Sequence, residues 1–261
     1  MVHRFTTLLS SLRQFHRAAP MTSTILWANI FVFLITWIPE HAEAVLTLWG
    51  LTPGELVRTP SLQPVSTLLT SMFLHGSILH LACNMLMLVV FGRFLESRMQ
   101  SYRFLGVYFM SGLLAASAQV LINPSSTLPM VGASGALSGL LGAAVLLAPT
   151  VRLWIITPFT FFVPIPMRMV TLGVVWVTLQ IGGLIFSDPF SGGIAYGAHL
   201  GGFVGGYLLQ RWIRLRRSES VHQNTPHRPD IRFGPAPNTA FRTFFVTDSR
   251  GQTFVFHSPE G

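Results

Sequence analysis

The chain has 261 residues, of which 50% are hydrophobic and only 10% are charged, and its mean hydropathy is +0.54. A soluble domain carries about 25% charged residues, so this composition excludes an ordinary water-exposed surface and indicates lipid as the main solvent. Seventeen basic residues, all of them Arg, oppose nine acidic ones. Binding of nucleic acid would need a basic face on a folded module, whereas in a membrane protein this excess marks the cytoplasmic side. We therefore expect no nucleic-acid partner.

The single cysteine, Cys83, excludes an internal disulfide and a Cys-based zinc cluster, and we expect no metal and no cofactor.

Six apolar segments are long enough to cross a bilayer of about 30 Å, which takes roughly 20 helical residues. They lie at 23–38, 77–95, 104–122, 133–148, 167–186 and 194–213. A further apolar stretch at 151–167 contains Pro158, Pro164 and Pro166. Because proline removes a backbone donor and breaks a helix, we predict a Pro-kinked loop near the cytoplasmic interface at 151–167 instead of a seventh span.

The arginines favour six crossings with both termini in the cytoplasm. With six spans, one side of the membrane carries twelve arginines, and the other side carries Arg58 alone together with four acidic residues. This asymmetry is a strong positive-inside signal, and a seventh span would place the last arginines outside. The twelve arginines are Arg4, Arg13, Arg17, Arg93, Arg98, Arg103, Arg152, Arg168, Arg211, Arg214, Arg216 and Arg217.

Two terminal segments flank the predicted six-helix domain at 23–213. Residues 1–22 hold three Arg, several Ser and Thr and no acid, which predicts a short cytoplasmic segment, with an organellar targeting peptide as the alternative. Residues 214–261 form a polar tail with prolines and two β-type runs, Arg242–Thr247 and Gln252–His257. These runs are typical of a weak hairpin or a partner-binding tail. Because an isolated hairpin is marginal in water, we favour disorder for the cytoplasmic tail.

Four polar side chains lie where lipid should exclude them, and such groups are functional candidates by default. His80 and Asn84 are four residues apart in span 2, so they share one helical face. Ser134 opens span 4, and His199 lies in span 6. At 1.5 Å per residue, His80, His199 and Asn84 lie about 4, about 7 and about 10 Å below the outer surface. The fourth span is shorter than the hydrocarbon, which places Ser134 about 8 Å down, at the same level.

Small residues give these spans a way to approach each other. Span 4 and span 6 both show small-xxx-small patterns, which let helix backbones come close. These glycines are Gly135 and Gly139 in span 4, and the offset pairs Gly201 with Gly205 and Gly202 with Gly206 in span 6. We expect this proximity to bring the serine within hydrogen-bond reach of a histidine.

A serine beside a histidine is the minimum for a nucleophile activated by a general base. A Gly-x-Ser-Gly sequence or a lone intramembrane histidine is often only a helix-packing feature. One serine, two histidines and one asparagine at a single depth on three glycine-lined spans instead favour a reactive site. No acid lies at this depth, because Glu96 and Asp188 are at the ends of spans, so we predict a Ser-His dyad rather than a triad.

At these residues the sequence resembles the rhomboid family of intramembrane serine proteases. The matching motifs lie in order on spans 2, 4 and 6. They are His75 with His80-Leu-Ala-Cys-Asn84, then Gly132-Ala-Ser134-Gly135, and then Ala198-His199-Leu-Gly201-Gly202 with Gly205. The resemblance implies an all-α polytopic membrane protein with a six-helix bundle, whose short fourth helix lies centrally beneath a water-filled cavity open to the outside.

The resemblance also implies roles for the motif residues. Ser134 would be the nucleophile and His199 the general base. The side chains of His80 and Asn84, the N–H of Ser134 and the backbone at Gly132 would stabilise the oxyanion.

The sequence departs from the family pattern at two points. Relatives often carry Tyr or Phe four residues after the nucleophile, where the ring stacks on the histidine, but this position is Ser138. The orientation of His199 would then depend on glycine packing or on another ring. The Trp-Arg pair common in the first outside loop is also absent, although Trp49-Gly-Leu-Thr-Pro53 resembles the half-buried loop of relatives.

Further residues receive roles from the resemblance alone. Candidates for lining the cavity are His75, Ser77 and Gln119, and for Gln119 an interhelical hydrogen bond is the favoured interpretation. Candidates for a lateral gate on span 5 are Trp176 and Val175, and Phe190 is a candidate cap.

Three functions remain in view. The favoured one is an intramembrane serine endopeptidase that cleaves single-span membrane proteins within or near their transmembrane helix, so its partners would be substrate transmembrane segments and the lipid bilayer. An inactive rhomboid-like protein that binds membrane clients is the second, although such relatives typically lack the catalytic Ser or His. A small transporter is the third, but no internal repeat is visible. The all-Arg basic set favours the cytoplasmic membrane of a bacterium, with the mitochondrial inner membrane as the alternative.

Overall fold

The computed structural model describes residues 14–37, 41–155, 163–188, 193–224, 232–233, 241–247 and 253–259, and it describes side chains as far as Arg216. The chain forms two compact units, Met1–Trp212 and Ile213–Gly261. The first unit is mainly helical and contains every residue proposed above for the site.

Helices follow one another through the first unit after a helical segment at 14–18. They are α1 (Pro20–Thr36), α2 (Ala42–Trp49), α3 (Pro53–Arg58), α4 (Leu62–Thr70), α5 (Ile78–Glu96), α6 (Ser101–Ile122), α7 (Ser134–Leu147), α8 (Met169–Phe186) and α9 (Tyr196–Asn224). A 3₁₀ turn at Ser71–Phe73 follows α4, and α5 contains a π-helical turn at Leu88–Gly92.

Helices α5, α6 and α8 are long and apolar enough to cross a membrane, with mean hydropathies of 1.9, 1.7 and 1.9. Helices α1 and α7 are apolar but shorter, and α9 runs for 29 residues into an arginine-rich end. The protein is therefore a mainly helical membrane protein, as predicted. Helices α1 and α5 to α9 overlap the six predicted spans, with α9 extending past the predicted end at 213. The number of six crossings stays a prediction.

Helix α7 lies at the centre of the first unit. Every residue from Gly135 to Ala144 is buried, and α7 contacts α5, α6 and α8. A helix that is apolar on all sides is typical of a buried position. Its 14 residues span only about 21 Å at 1.5 Å per residue. The expected short, central fourth helix is therefore confirmed.

Two rows of glycines, which have no side chains, let α9 approach both α7 and α6. A Cβ added at Gly202 would fall on the carbonyl oxygen of Gly135, and one added at Gly206 would fall on that of Gly139. Since backbone atoms cannot rotate away, only glycine permits this contact between α9 and α7. The offset row faces α6 and consists of Gly201 and Gly205.

A buried carboxylate joins the start of α1 to the end of α5. Glu96 accepts hydrogen bonds from the backbone N–H groups of Met21 and Thr22 at 2.9 and 2.8 Å. It also accepts from Thr22 Oγ1 and Ser101 Oγ, each at 2.8 Å. The N–H groups in the first turn of a helix lack intrahelical partners and favour a negative charge. Glu96 therefore caps α1 and has a structural role, not the role of a triad acid.

Part of the stretch at 151–167 forms a β-hairpin, so the predicted loop is wrong for these residues. Strand β1 (Arg152–Ile155) pairs antiparallel with β2 (Ile165–Arg168), and Trp154 lies opposite Pro166. Each strand of a two-stranded ribbon is an edge, so a proline is tolerated where its missing N–H would face away from the partner. Pro158 lies outside the described residues, and none of the described residues in this stretch belongs to a spanning helix.

The second unit contains an antiparallel sheet in the order β3-β4-β5, formed by Arg232–Phe233, Phe241–Thr247 and Thr253–Pro259. Strands β4 and β5 pair over their full length, from Phe241 with Pro259 to Thr247 with Thr253. The two β-type runs of the sequence therefore form the hairpin, and disorder was the wrong choice for these residues. The third strand provides pairing that an isolated hairpin lacks.

Replacing Gly202 by Ala is expected to lower the free energy of unfolding by about 1–3 kcal/mol, because the new methyl group would collide with the backbone of α7. Gly182→Ala on α8 is the matched control, since no described atom lies within 4 Å of its Cβ position. We expect this control to be neutral or slightly stabilising. Equilibrium unfolding in detergent measures both variants, and equal stability would contradict the close packing of α7 and α9.

Candidate active site

A turn at Gly132 places Ser134 at the start of α7. Gly132 has a φ of +117°, which residues with a side chain rarely adopt. Its N–H donates to the carbonyl of Ser71 at 2.8 Å. Two residues earlier, Met130 and Leu51 exchange backbone hydrogen bonds at 2.8 and 2.9 Å, and Leu51 is fully buried. The loop that leads into α7 is therefore fixed to the segment that follows α2.

The serine and the histidine predicted as a dyad are in hydrogen-bond contact. Ser134 Oγ and His199 Nε2 are 2.8 Å apart. His199 lies in the first turn of α9, and its backbone N–H donates to Ala195 at 3.1 Å. The backbone contact between Gly202 and α7 lies one turn further along α9. This contact brings the imidazole ring to the serine, as the glycine pattern predicted.

His80 approaches the same point from α5. A Cβ added at Gly132 would lie 2.7 Å from His80 Nε2 and 3.8 Å from Ser134 Oγ, so the ring occupies space that any other residue would fill. Ser77 Oγ caps α5 by accepting a hydrogen bond from the His80 N–H at 3.1 Å. Because the N–H of Gly132 already donates to Ser71, Gly132 contributes space to the site and no donor.

Asn84 lies one helical turn after His80 and is 3% exposed. Its Nδ2 donates to the carbonyl of His80 at 2.8 Å, which fixes the side chain along α5. An amide nitrogen carries two hydrogens, so one N–H remains for a further acceptor. Its Oδ1 has no hydrogen-bond partner among the described residues.

All of the predicted site residues line one cavity of about 910 Å³. They are Ser134, His199, His80, Asn84 and Gly132. Gln119 also lines the cavity, and its Oε1 accepts a hydrogen bond from the N–H of Ala198 at 3.1 Å. Gln119 therefore forms the interhelical hydrogen bond that we favoured and faces the cavity as well.

His75 and Ser77 do not line the cavity, so this prediction is wrong for both. Ser77 is the cap of α5, and His75 lies in the turn before α5 with only 2% of its surface exposed. The rings of His75 and His80 meet edge to face with centroids 5.1 Å apart. Burial, with a smaller contribution from His80, lowers the pKa of His75 to about 4. His75 is therefore neutral at neutral pH and supports the ring of His80 without adding charge.

Helix α8 supplies the ring that Ser138 does not provide. Ser138 Oγ donates to the carbonyl of Ser134 at 2.8 Å and so stays within α7. The indole of Trp176 packs on His199 instead, with ring centroids 5.6 Å apart and planes inclined by 37°. Trp176 is therefore the other ring that we expected to orient His199, because Ser138 replaces the aromatic residue of relatives. Of the remaining candidates on this side, Val175 is 41% exposed and Phe190 lies outside the described residues.

Gln180 is the site residue that sequence reasoning missed. Its Oε1 lies 2.8 Å from His199 Nδ1, on the side of the ring away from Ser134, and the residue is 5% exposed. A signal was present in the sequence, because Gln180 is a polar residue in an apolar span, four positions after Trp176. A catalytic triad usually has an acid as its third member, and the neutral amide of Gln180 does not fit that pattern.

Comparisons with known proteins identify the family of this chain. The family model for the Rhomboid domain matches residues 63–217, which is more than half of the chain. The chain belongs to the rhomboid family. RHOMBOID-like protein 6, mitochondrial, from Arabidopsis thaliana is 33% identical over 220 residues, covering 72% of this chain and 67% of the relative. Rhomboid protease GluP from Bacillus subtilis is 34% identical over 151 residues, which cover 58% of this chain and 26% of that protein.

Several of these rhomboid relatives are much longer than the shared region. This chain covers 48% of RHOMBOID-like protein 5 and 38% of RHOMBOID-like protein 1, both from Arabidopsis thaliana. It covers 45% of the human Presenilin-associated rhomboid-like protein, mitochondrial, at 26% identity. The matched residues 63–217 nevertheless contain Ser134, His199, His80 and Asn84, so the family region and the site coincide.

The cavity predicts that the single cysteine is reactive. Cys83 lies between His80 and Asn84 on α5, is exposed and lines the cavity. Because the thiol is exposed on the cavity wall, a small maleimide should reach and label Cys83 in the folded protein. A Ser138→Cys variant in a Cys83→Ser background is the control, because Ser138 is fully buried, and it should react only after unfolding. Equal protection of both thiols would contradict a water-accessible cavity.

Proposed function

We propose that this rhomboid-family protein is an intramembrane serine endopeptidase that cleaves single-span membrane proteins within or near their transmembrane helix. The observation that carries the proposal is the 2.8 Å contact between Ser134 Oγ and His199 Nε2 on the wall of a cavity. A nucleophile and a base within 2.6–3.2 Å are the signature of covalent acyl transfer. The family includes proteins named as proteases, such as Rhomboid protease GluP.

The proposed reaction can be followed through the transfers of the Ser134 hydroxyl proton. His199 Nε2 takes the hydroxyl proton as Oγ attacks the carbonyl carbon of the scissile peptide bond. The tetrahedral intermediate then collapses, the C–N bond breaks, and His199 gives its proton to the departing amine. The resulting ester on Ser134 is hydrolysed by a water molecule, whose proton passes to His199 and finally returns to Oγ.

The oxyanion of the tetrahedral intermediate requires donors next to Ser134. The His80 ring lies beside Gly132, and the second amide N–H of Asn84 is left over from its bond within α5. The N–H of Ser134 stands at the start of α7, where backbone donors lack helical partners. Donors held rigidly in a low dielectric stabilise developing charge strongly, and removing one costs about 10²–10³ in rate.

The placement of the site favours substrates that are themselves membrane helices. Ser134 opens a helix of only 14 residues within a bundle of longer apolar helices and lines the cavity, which supports a site below the membrane surface. We propose the bacterial cytoplasmic membrane because the basic residues are all Arg. The arginine asymmetry supports both termini in the cytoplasm. The relatives include mitochondrial proteins, so the mitochondrial inner membrane is the alternative.

An inactive client-binding role is the second candidate within this family. It needs the cavity but not the contact between Ser134 and His199, and it gives no reason for His80 and Asn84 to converge on the same point. The hydrolytic role accounts for all four residues, and for this reason we favour it.

Purified protein in lipid is expected to cleave a generic single-span reporter. Ser134→Ala and His199→Ala should each lower the cleavage rate by more than about 10³-fold, because each removes one half of the dyad. Ser117→Ala and His41→Ala are matched controls at exposed positions and should cleave at the wild-type rate. Gel analysis of the reporter measures the rates, and undiminished cleavage by the Ser134 variant would eliminate the assigned nucleophile.

Asn84→Ala tests the oxyanion donors. We expect kcat to fall by about 10²- to 10³-fold with little change in KM, because the amide donates to the oxyanion only after attack. Thermal unfolding in detergent should show that the variant remains folded. A folded variant with wild-type kcat would remove Asn84 from the oxyanion site.

A further inference from the structure

Helix α8 is the least buried of the three long apolar helices, with 17% of its residues buried against 39% in α5 and 33% in α6. Its buried residues are Met169, Gly173 and Gln180. The first is apolar and the second lacks a side chain, so Gln180 is the one polar residue among the three buried residues of this helix. An amide is costly to bury unless it forms hydrogen bonds. Its place on α8 therefore needs a reason, and the contact with His199 Nδ1 provides one.

The chemistry of imidazole decides what this contact does. A neutral imidazole carries its proton on only one ring nitrogen. With Gln180 Oε1 as acceptor 2.8 Å away, the proton lies on Nδ1, which donates to the glutamine. Nε2 is then unprotonated and accepts a hydrogen bond from Ser134 Oγ. This is the tautomer that a general base requires, and the opposite tautomer would present a proton to the serine.

We propose that Gln180 is the positioning residue of the catalytic base, so that the site works as a Ser134–His199–Gln180 chain with a neutral third member. This inference rests on the proposed proteolytic function. Gln180 fixes the Nδ1–H tautomer and the in-plane direction of the ring. Trp176, one helical turn earlier, packs on the ring face. Helix α8 thus supplies the acceptor for Nδ1, which an acid supplies in a triad. It also supplies the aromatic ring that relatives often carry four residues after the nucleophile.

A neutral third member suits this position. An isolated carboxylate beside His199 would have to be buried without a cation to balance it, which is strongly unfavourable in a low dielectric. The amide supplies the acceptor oxygen without the charge. In exchange it stabilises the imidazolium of the transition state less than a carboxylate does. We therefore expect Gln180 to contribute less than the roughly 10⁴-fold that a buried aspartate contributes in a triad.

Gln180→Met tests the proposal with a side chain of similar length that lacks the acceptor. We expect kcat to fall by about 10- to 100-fold and KM to stay within about twofold, because substrate binding does not involve Nδ1. In Gln180→Glu, burial favours the neutral carboxylic acid. Its carbonyl oxygen keeps the acceptor for Nδ1–H without a buried charge, so kcat should stay within about tenfold of the wild type. Leu179→Met, at the exposed neighbouring position, is the control for a methionine on α8 and should behave as wild type.

A spectroscopic measurement separates positioning from packing and does not depend on turnover. The ¹⁵N chemical shifts of His199 are expected to report the Nδ1–H tautomer in the wild type and a mixture of tautomers in Gln180→Met. An active wild type together with unchanged kcat and an unchanged tautomer in Gln180→Met would overturn the role of Gln180 alone. A folded but inactive wild type that shows the Nδ1–H tautomer would instead overturn the proposed proteolysis and leave the Gln180 contact standing.

Discussion

The close approach of two helix backbones, α7 and α9, is the constraint on which the rest of the site depends. Gly202 and Gly206 lie against the carbonyl oxygens of Gly135 and Gly139, where any side chain would collide. The approach places the first turn of α9 beside the first residue of α7. The 2.8 Å contact between Ser134 and His199 is a consequence of this packing. In a lipid environment, where apolar burial does not drive helices together, such backbone contact is a principal source of association.

The helical unit buries a charged carboxylate at Glu96, but the interacting groups at the candidate site are neutral. The buried carboxylate of Glu96 accepts hydrogen bonds from three donors at the start of α1 and from Ser101 at the start of α6, so its burial is compensated. At the site the interacting groups are a hydroxyl, an imidazole and amides. Neutral groups are cheaper to bury, and the fixed donors become most valuable when charge develops during a reaction. Under the proposed function, these neutral groups would acquire charge only while the reaction proceeds.

Much of this site could be predicted from the sequence, because lipid makes polar residues conspicuous. Ser134, His199, His80 and Asn84 stand out in apolar spans, and helical periodicity with depth is enough to bring them to one level. The glycine rows could also be recognised, although only the structure separates the row that meets α7 from the row that meets α6. Gln180 stands in an equally apolar span, but no simple rule of depth or spacing relates it to His199. Its role depends on the rotation of α8, which the nearly uniform apolar surface of that helix does not reveal.

The β-structure was harder to predict for a different reason. At 151–167 the prolines exclude a regular helix, but a two-stranded ribbon tolerates them, so proline alone does not distinguish a loop from a hairpin. In the tail, both runs of the hairpin were recognised, but the stabilising third strand at Arg232–Phe233 is only two residues long and leaves no periodic signal. Long helices thus follow from local pattern, while short strands depend on partners that are distant in the sequence.

Activation of Ser134 by His199 is tested most directly by the site at which a fluorophosphonate modifies the protein. The protein in lipid would be treated with the reagent, digested and analysed by mass spectrometry. The account predicts a single phosphonate adduct on Ser134 that is absent from the folded His199→Ala variant. An adduct on another residue, or a folded protein whose Ser134 stays unmodified, would contradict it.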